Sequence, residues 1–350
     1  MQRLYTFFVN SLVKLYLQKF PITKLPKPTK LENIENIILF SNTALGDTLM
    51  STPAIIQTRK AFPQAKITLF IAKKIYPLFR DYEYVDNFLI YNKGYKGFIG
   101  NILKMRSLKP DLILMFHSNG PQDIPTALLS GAKYILKTSR NNAMENLLST
   151  KLTHSPVHFI IKRLETLSFV SLEKYDNIQM KLPCKYHNFV AKKIGGGGRQ
   201  RIGFQMRTSK VTREWGIENF ANLAIMLLDF QEDLEIFLSG TQTEKKYCQK
   251  IYTSLPPNYH LRIHNVCGLY PLDELPYFLK SLDCFITGDT GPMHLCGALE
   301  IPSIALFLGG AQPKLSGILQ DRAIHKEIEQ QSLITPLQVF EAWKSLNHSS

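Results

Sequence analysis

The chain has no run of about 18 or more apolar residues, the length a membrane-crossing helix needs, which argues against a spanning helix. None of its five cysteines (Cys184, Cys248, Cys267, Cys284, Cys296) stands in a Cys-x-x-Cys pair. An odd count at wide spacing argues against both a zinc site and a disulfide framework. These residues read as buried thiols of a reducing compartment. Acidic side chains are scarce: 28 Asp and Glu stand against 42 Lys and Arg, a net charge of +14. That imbalance points to an acidic partner, whether nucleic acid, an anionic membrane or a phosphorylated substrate. No recognised nucleic-acid module and no basic–aromatic stripe accompanies the charge, so nucleic acid is not expected. The first strand is not followed by Gly-x-Gly-x-x-Gly but by Ser-Asn-Thr-Ala-Leu-Gly-Asp, residues 41–47. This argues against an NAD(P)-dependent oxidoreductase.

What is present suits a sizeable globular protein. At 350 residues, 45% hydrophobic and 20% charged, two domains are the default expectation. Residues 1–20 carry Leu4, Phe8, Leu12, Leu15 and Tyr16 at helical spacing, with Arg3, Lys14 and Lys19 and no acid before Glu32. A signal peptide fits poorly, because Asn10, Ser11 and Lys14 interrupt the apolar run and no cleavage site comes after it. Two readings stay open: a basic amphipathic helix lying on an anionic membrane, or a helix docked on the protein's own core. The segment 21–30, with three prolines and three lysines, is a linker. Residues 1–30 are thus set apart from the body of the chain.

Alternating short apolar runs and helical patterns then fill the chain. Strands are expected at 37–40, 66–71, 85–90 and 111–116, with a helix from about 49 to 61 after the first. The second half repeats the scheme, with strands at 201–204, 234–238, 264–266, 284–287 and 303–308. Between them helices are expected at 217–228, 244–254, 272–282 and 293–299. Such alternation means βαβ units and parallel sheets. The expected division is an N-terminal Rossmann-like domain over 31–194, a glycine-rich connection over 195–200, a second Rossmann-like domain over 201–325 and a helical segment over 326–350. Gly195 to Gly198 come after a helix and precede a strand, the reverse of a phosphate-cradling loop, so they read as a flexible connection.

Three loops carry chemistry. Residues 288–294, Gly-Asp-Thr-Gly-Pro-Met-His, end a strand and open a helix. Amides exposed at that helix start favour a phosphate. Thr290 can cap the helix or donate its hydroxyl to a phosphate oxygen, Gly291 permits close approach, and His294 lies in the first turn. The loop 44–47 ends in Asp47, read either as an N-cap or as a general base. Residues 207–215, Arg-Thr-Ser-Lys-Val-Thr-Arg-Glu-Trp, hold three cations and three hydroxyls after the first strand of the second domain. They suit a pyrophosphate, or are a solvated polar loop.

These residues together resemble glycosyltransferase family 9, the heptosyltransferases of lipopolysaccharide core synthesis, over roughly residues 36–320. The family's N-terminal signature is matched by Leu-Gly-Asp-Thr-Leu-Met-Ser-Thr-Pro-Ala-Ile at 45–55 and the aromatic–Pro pair Phe62-Pro63. Its C-terminal signature, Asp-Thr-Gly-x-x-His-x-x-x-Ala, is matched at 289–298, with Pro302 and Leu306-Phe307 beyond. Departures stand at Phe204-Gln205-Met206, at Ser41, where the family often has a base, and at Leu308-Gly309-Gly310.

The resemblance implies an α/β fold of GT-B architecture, two doubly wound Rossmann-like domains facing across a cleft. It implies an inverting, metal-independent transfer of heptose from ADP-heptose to the inner core, Kdo or heptose, of lipopolysaccharide or lipooligosaccharide. A different nucleotide-sugar donor, or a catalytically silent binder, is the alternative. Carried over residue by residue, Asp47 is the catalytic base, and Leu45 and Gly46 belong to the acceptor loop. Thr208, Ser209, Arg213, Asp289, Thr290, Gly291 and His294 form the donor nucleotide and diphosphate site. Arg213 stands where the family usually has Lys in Lys-x-Trp. No metal and no cofactor is implied, and the chain has no Asp-x-Asp motif. The expected partners are a nucleotide-sugar donor, the lipopolysaccharide core acceptor and an anionic inner-membrane surface. The expected location is the cytoplasm, peripheral on the inner membrane's cytoplasmic face.

Overall fold

Continuous apolar runs such as Ile37 to Phe40 and Leu112 to Phe116 have no polar face to show to water, so both faces of their strands must be covered. The computed structural model describes residues 2–138, 142–189, 199–320, 323–330 and 333–347, and it divides into two compact units, Met1–Ile178 and Gln179–Ser350.

The first unit holds strands β1 (Asn36–Ser41), β2 (Lys66–Ala72), β3 (Asn87–Tyr91), β4 (Leu112–His117) and β5 (Tyr134–Lys137). Its helices are α1 (Gln2–Lys19), α2 (Leu45–Leu49), α3 (Thr52–Ala61), α4 (Tyr76–Phe79), α5 (Gly94–Ser107), α6 (Asp123–Leu128) and α7 (Phe159–Ser171). All strand pairs are parallel, in the order β3-β2-β1-β4-β5. β1 is the central strand and β4 its neighbour, and β4 is buried along its whole length. The chain order reverses between them, and ligands of open α/β sheets bind outside the strand ends at such a point.

The helix expected from about residue 49 starts at Thr52 as α3, and a separate short helix, α2, takes up the end of the expected loop. Pro53 has no amide to donate and fits only the first turn, so α3 starts afresh at Thr52. α1 settles the question left open at the N-terminus in part. Val9 and Val13 are buried in the first unit's core, with Tyr16 and Leu17 packed against it. The Arg106 guanidinium lies 4.8 Å from the Tyr16 ring centroid. A second apolar stripe on α1 stays in solvent: Phe8 is 73% and Leu15 65% exposed, and Leu12 is exposed beside them.

The second unit holds β6 (Arg201–Gln205), β7 (Glu235–Ser239), β8 (Ile263–Asn265), β9 (Cys284–Gly288), β10 (Ser303–Phe307) and β11 (His325–Glu329). Its helices are α8 (Cys184–His187), α9 (Ile217–Phe230), α10 (Lys245–Gln249), α11 (Leu275–Lys280), α12 (Gly291–Leu299), α13 (Pro313–Ser316) and α14 (Pro336–Asn347). The sheet is again parallel, β11-β10-β9-β6-β7-β8, and reverses between β6 and β9. α14 closes the core by burying Val339, Phe340, Trp343 and Leu346 among residues of α9 and the sheet.

Several boundaries differ from expectation. β5, α7 and β11 were not anticipated. β11 is an edge strand, His-Lys-Glu-Ile-Glu, with no apolar run to announce it, and it lies across the boundary expected at 325. The units divide at 178/179 because residues 179–189 pack with the second unit. Lys280 donates to the Tyr186 and His187 carbonyls at 3.0 Å each, and Gln320 donates to the Met180 carbonyl at 3.3 Å. Gly195 to Gly198 lie outside the described residues. Cys248, Cys267, Cys284 and Cys296 are buried, whereas Cys184 is exposed. Burial pushes the Cys284 thiol up to about 12.

Candidate functional site

In the first unit, β1 delivers residues 42–44 and then α2 to the sheet's reversal point. The N-cap of α2 is Ala44, which has no capping side chain, and Asp47 is the third residue of the helix. The N-cap reading of Asp47 therefore fails: its carboxylate lies one turn too late. It is held instead by side chains. The Thr43 hydroxyl donates to Oδ2 at 3.2 Å. His117 Nε2 stands 3.0 Å from Oδ1, and Arg163 Nη2 stands 3.5 Å from it. His117 closes β4, whose partner in register is Ser41 of β1. Arg163 comes from α7. His117 and Arg163 are buried, while the Asp47 side chain is 23% exposed. A buried guanidinium needs a carboxylate to offset its desolvation, and Asp47 supplies one. Gly46 is buried and Leu45 half-buried beside it.

Asp123, at the start of α6, borders the same loop. Its Oδ1 accepts from the Asn42 amide at 3.2 Å and its Oδ2 from the Gly120 backbone N–H at 2.8 Å. Burial raises the Asp123 carboxyl above its ordinary range, and the Gly120 and Asn42 hydrogen bonds offset only part of that. Lys137 of β5 is buried 3.2 Å from Glu145.

In the second unit, the loops after β6, β9 and β10 converge. Arg213, in a short 3-10 turn, places Nη1 2.8 Å from Asp289 Oδ2. A methyl added to Gly288 would stand 2.9 Å from Thr208 Cγ2, so these two loops touch through the missing side chain. Gly309 has φ +58°, and a side chain there would run into the Thr212 carbonyl oxygen. Gly309, two residues after Phe307, thus admits the 207–215 loop. Trp215 anchors that loop by donating Nε1–H to the Ile334 carbonyl at 2.9 Å. Arg207 is taken up by Glu214, 2.7 Å away, and by the Tyr247 ring, 4.5 Å from its guanidinium.

Of the residues expected to bind a diphosphate, Thr208, Arg213 and Asp289 are brought together. Ser209 is exposed on the same loop. Thr290 occupies the N-cap of α12 with an extended backbone, but its side chain makes no capping bond. Its hydroxyl lies 2.8 Å from that of Thr287. Gly291 opens the helix, and His294 is 3% exposed within it. The backbone N–H groups of Gly291 and Met293 in the first turn of α12 stand at the β6/β9 reversal, where a helix dipole favours an anion; Pro292 between them has none to offer.

Sequence reasoning missed His117, Arg163, Asn42 and Asp123. A signal existed for one of them: His117 ends an otherwise wholly apolar strand, where a polar side chain meets the site of a parallel sheet.

The chain has relatives of known kind. A sequence model of glycosyltransferase family 9 (heptosyltransferase) matches residues 128–335. Lipooligosaccharide heptosyltransferase 2 of Campylobacter jejuni is 26% identical over 273 residues, 77% of this chain and 81% of its own length. A family 9 glycosyl transferase from Veillonella parvula superposes with TM-score 0.78 at 20% identity, over 92% of this chain and 99% of its own. The ADP-heptose lipopolysaccharide heptosyltransferase II of Escherichia coli does so with TM-score 0.72 at 20% identity, over 89% and 98%. The two structures support the fold.

Proposed function

The chain belongs to glycosyltransferase family 9, and from that premise we propose that it is an inverting, metal-independent heptosyltransferase acting on the inner core of lipopolysaccharide or lipooligosaccharide. The observation that carries the reading is Asp47: a partly exposed carboxylate at the sheet's reversal point, held by His117 and Arg163. The Campylobacter jejuni and Escherichia coli relatives are heptosyltransferases by name, the second with ADP-heptose in its name, and the donor proposed here is ADP-heptose.

Asp47 accepts the proton of the acceptor hydroxyl. That oxygen forms its bond to the anomeric carbon as the bond from that carbon to the diphosphate oxygen breaks. The electron pair leaves with ADP, and attack from the opposite side inverts the configuration. Leu45 and Gly46 line the acceptor loop. Charge growing on the diphosphate is met by Arg213, by the hydroxyls of Thr208, Ser209 and Thr290, and by the amide ends of α12 from Gly291, with Asp289 and His294 completing the nucleotide site. Metal independence is supported by the absence of any Asp-x-Asp motif in the sequence.

The net charge of +14 suits an acceptor bearing carboxylates and phosphates in an anionic leaflet. Phe8, Leu12 and Leu15, with Lys14 and Lys19 exposed on the same helix, would rest on the cytoplasmic face of the inner membrane. Co-sedimentation with anionic but not neutral vesicles, lost in a Phe8→Ser/Leu15→Ser variant, is expected; equal sedimentation of the variant would remove the membrane from this reading.

The function is tested by titrating the protein calorimetrically, without metal, with ADP-heptose, ADP, UDP-sugars and GDP-sugars. Binding confined to ADP and ADP-heptose is expected. Preference for another nucleotide would replace the donor, and no binding to any would count against a working donor site.

A further inference from the structure

The three side chains Thr43, Asp47 and His117 form a closed triangle, and a count of its protons favours a charged imidazole. Thr43 Oγ1 is 3.2 Å from Asp47 Oδ2 and 2.6 Å from His117 Nδ1. His117 Nε2 is 3.0 Å from Asp47 Oδ1. An ionised carboxylate only accepts, so Nε2 must carry a hydrogen toward Oδ1. The threonine hydroxyl has one hydrogen. If it goes to Oδ2, the hydroxyl oxygen is left as an acceptor for His117 and Nδ1 must also carry a hydrogen; if it goes to Nδ1, the 3.2 Å contact with Oδ2 has no hydrogen. A neutral ring satisfies two of the three contacts; the doubly protonated ring satisfies all three.

The remaining neighbours bear on this state. Asn119 Nδ2 lies 3.4 Å from Nε2, longer than the contact with the anion, which therefore orients the ring. Arg163 on α7 shares Oδ1 with His117 and works against a second cation. Asp123 on α6, tied to the same loop through Asn42, works in its favour when ionised. Lys137 on β5 is paired with Glu145.

We propose that His117 is a positioning residue for the base, held as an imidazolium that keeps Asp47 ionised and leaves Oδ2 to take the acceptor's proton. The inference rests on the reading of Asp47 as base and adds the group that sets its charge and orientation. It also gives Thr43 a part: its hydroxyl passes the orientation of the ring to Oδ2. Once Asp47 has taken a proton, the triangle loses its anion. Two cations, the imidazolium and Arg163, then face the neutral carboxyl and favour its ionisation: the carboxyl proton leaves to solvent from the partly exposed Asp47, and the ring keeps its charge.

The test uses the full chain labelled with ¹⁵N-histidine, with His117→Gln to assign the signal. Both ring nitrogens of His117 should carry hydrogens at neutral pH in the resting protein; a neutral tautomer there would overturn the proposal. In kinetics, His117→Gln keeps a neutral donor to Asp47 but removes the charge. It should lower kcat, leave the KM for donor unchanged, and move the acid limb of kcat/KM upward by about 1 pH unit or more, the displacement expected from a lost neighbouring cation. A side chain that merely fills space would lower kcat and leave that limb in place, and this result too would overturn it. Asp47→Asn separates the two claims. If that variant keeps its turnover, the base reading falls and this one with it; if it is inactive while His117 proves neutral, only the present proposal falls.

Discussion

Arg213 and Asp289 meet at 2.8 Å between two loops that end different strands, β6 and β9. The pair closes the reversal point of the second sheet before any nucleotide arrives. A diphosphate entering there would compete with the Asp289 carboxylate for the guanidinium. Arg213→Ala should therefore weaken ADP binding by about ten- to a hundredfold, the worth of a charged hydrogen bond of about 1.5–3 kcal/mol. Arg213→Lys should recover part of it, since a lysine keeps the charge without the fork. Calorimetry showing the same ADP affinity in Arg213→Ala would take this residue out of the site.

Asp47 is asked to do chemistry and not to bind the donor. Asp47→Ala should lower kcat by about 10²–10⁴, the range general-base catalysis supplies, with donor affinity near that of the unaltered chain. Steady-state kinetics with varied ADP-heptose separates the two. Lost donor binding at unchanged turnover would reject the base role.

Gly309 tests whether a missing side chain after β10 admits the 207–215 loop. Its φ of +58° and its approach to the Thr212 carbonyl both oppose a side chain. Gly309→Ala should cost about 1–3 kcal/mol in urea unfolding and should also weaken ADP binding, because Thr212 adjoins Arg213. Gly310, with φ +77° and open space around it, is the control: alanine there should cost stability through its backbone alone, about 1–2 kcal/mol, with ADP binding kept. Equal effects on ADP binding at both positions would contradict the packing argument.

Asp123 makes a prediction about pH. Burial raises its carboxyl in the folded chain, so protonation favours folding. The stability this group contributes is full below the unfolded value of about 3.9 and is lost as pH rises through the raised folded value. The stability of the unaltered chain relative to Asp123→Asn should therefore fall as pH rises from the unfolded value through the raised one. Unfolding midpoints measured across that interval check it, and a difference that stays flat or rises would show that the Gly120 and Asn42 hydrogen bonds outweigh the burial.

The parts of the fold legible in the sequence were those with an unambiguous local signal. The Ile37 to Phe40 run announced a strand buried on both faces, and Gly288-Asp289-Thr290-Gly291-Pro292 announced a strand end leading into a helix. Composition alone gave no warning of β11, whose residues pair by backbone at a sheet edge. The sites were half legible for a related reason. Asp47 and Arg213 sit in motifs, and motifs are local. Arg163 reaches Asp47 from 116 residues away, on a helix whose spacing says only that one face is apolar. Its burial beside a carboxylate is decided by the folded sheet, which no window of sequence contains. The position of Asp47 one turn inside α2 shows the same limit: capping was the default local reading, and the distant His117 and Arg163 gave the residue its other place.

α14 has a consequence for how the chain comes off the ribosome. Trp343 is fully buried, with Val339 and Phe340 beside it in a core that α9 and the sheet leave open. Every strand of the second sheet precedes that helix in the chain. In the first unit, the apolar cluster that α1 joins can form while synthesis continues, because the described residues of that cluster end at Leu148. The second must wait, with the apolar side of α9 uncovered, until residues near 346 have left the exit tunnel. Its nascent form is therefore the one for which a chaperone has something to hold, and translation pauses late in the message would lengthen that exposure.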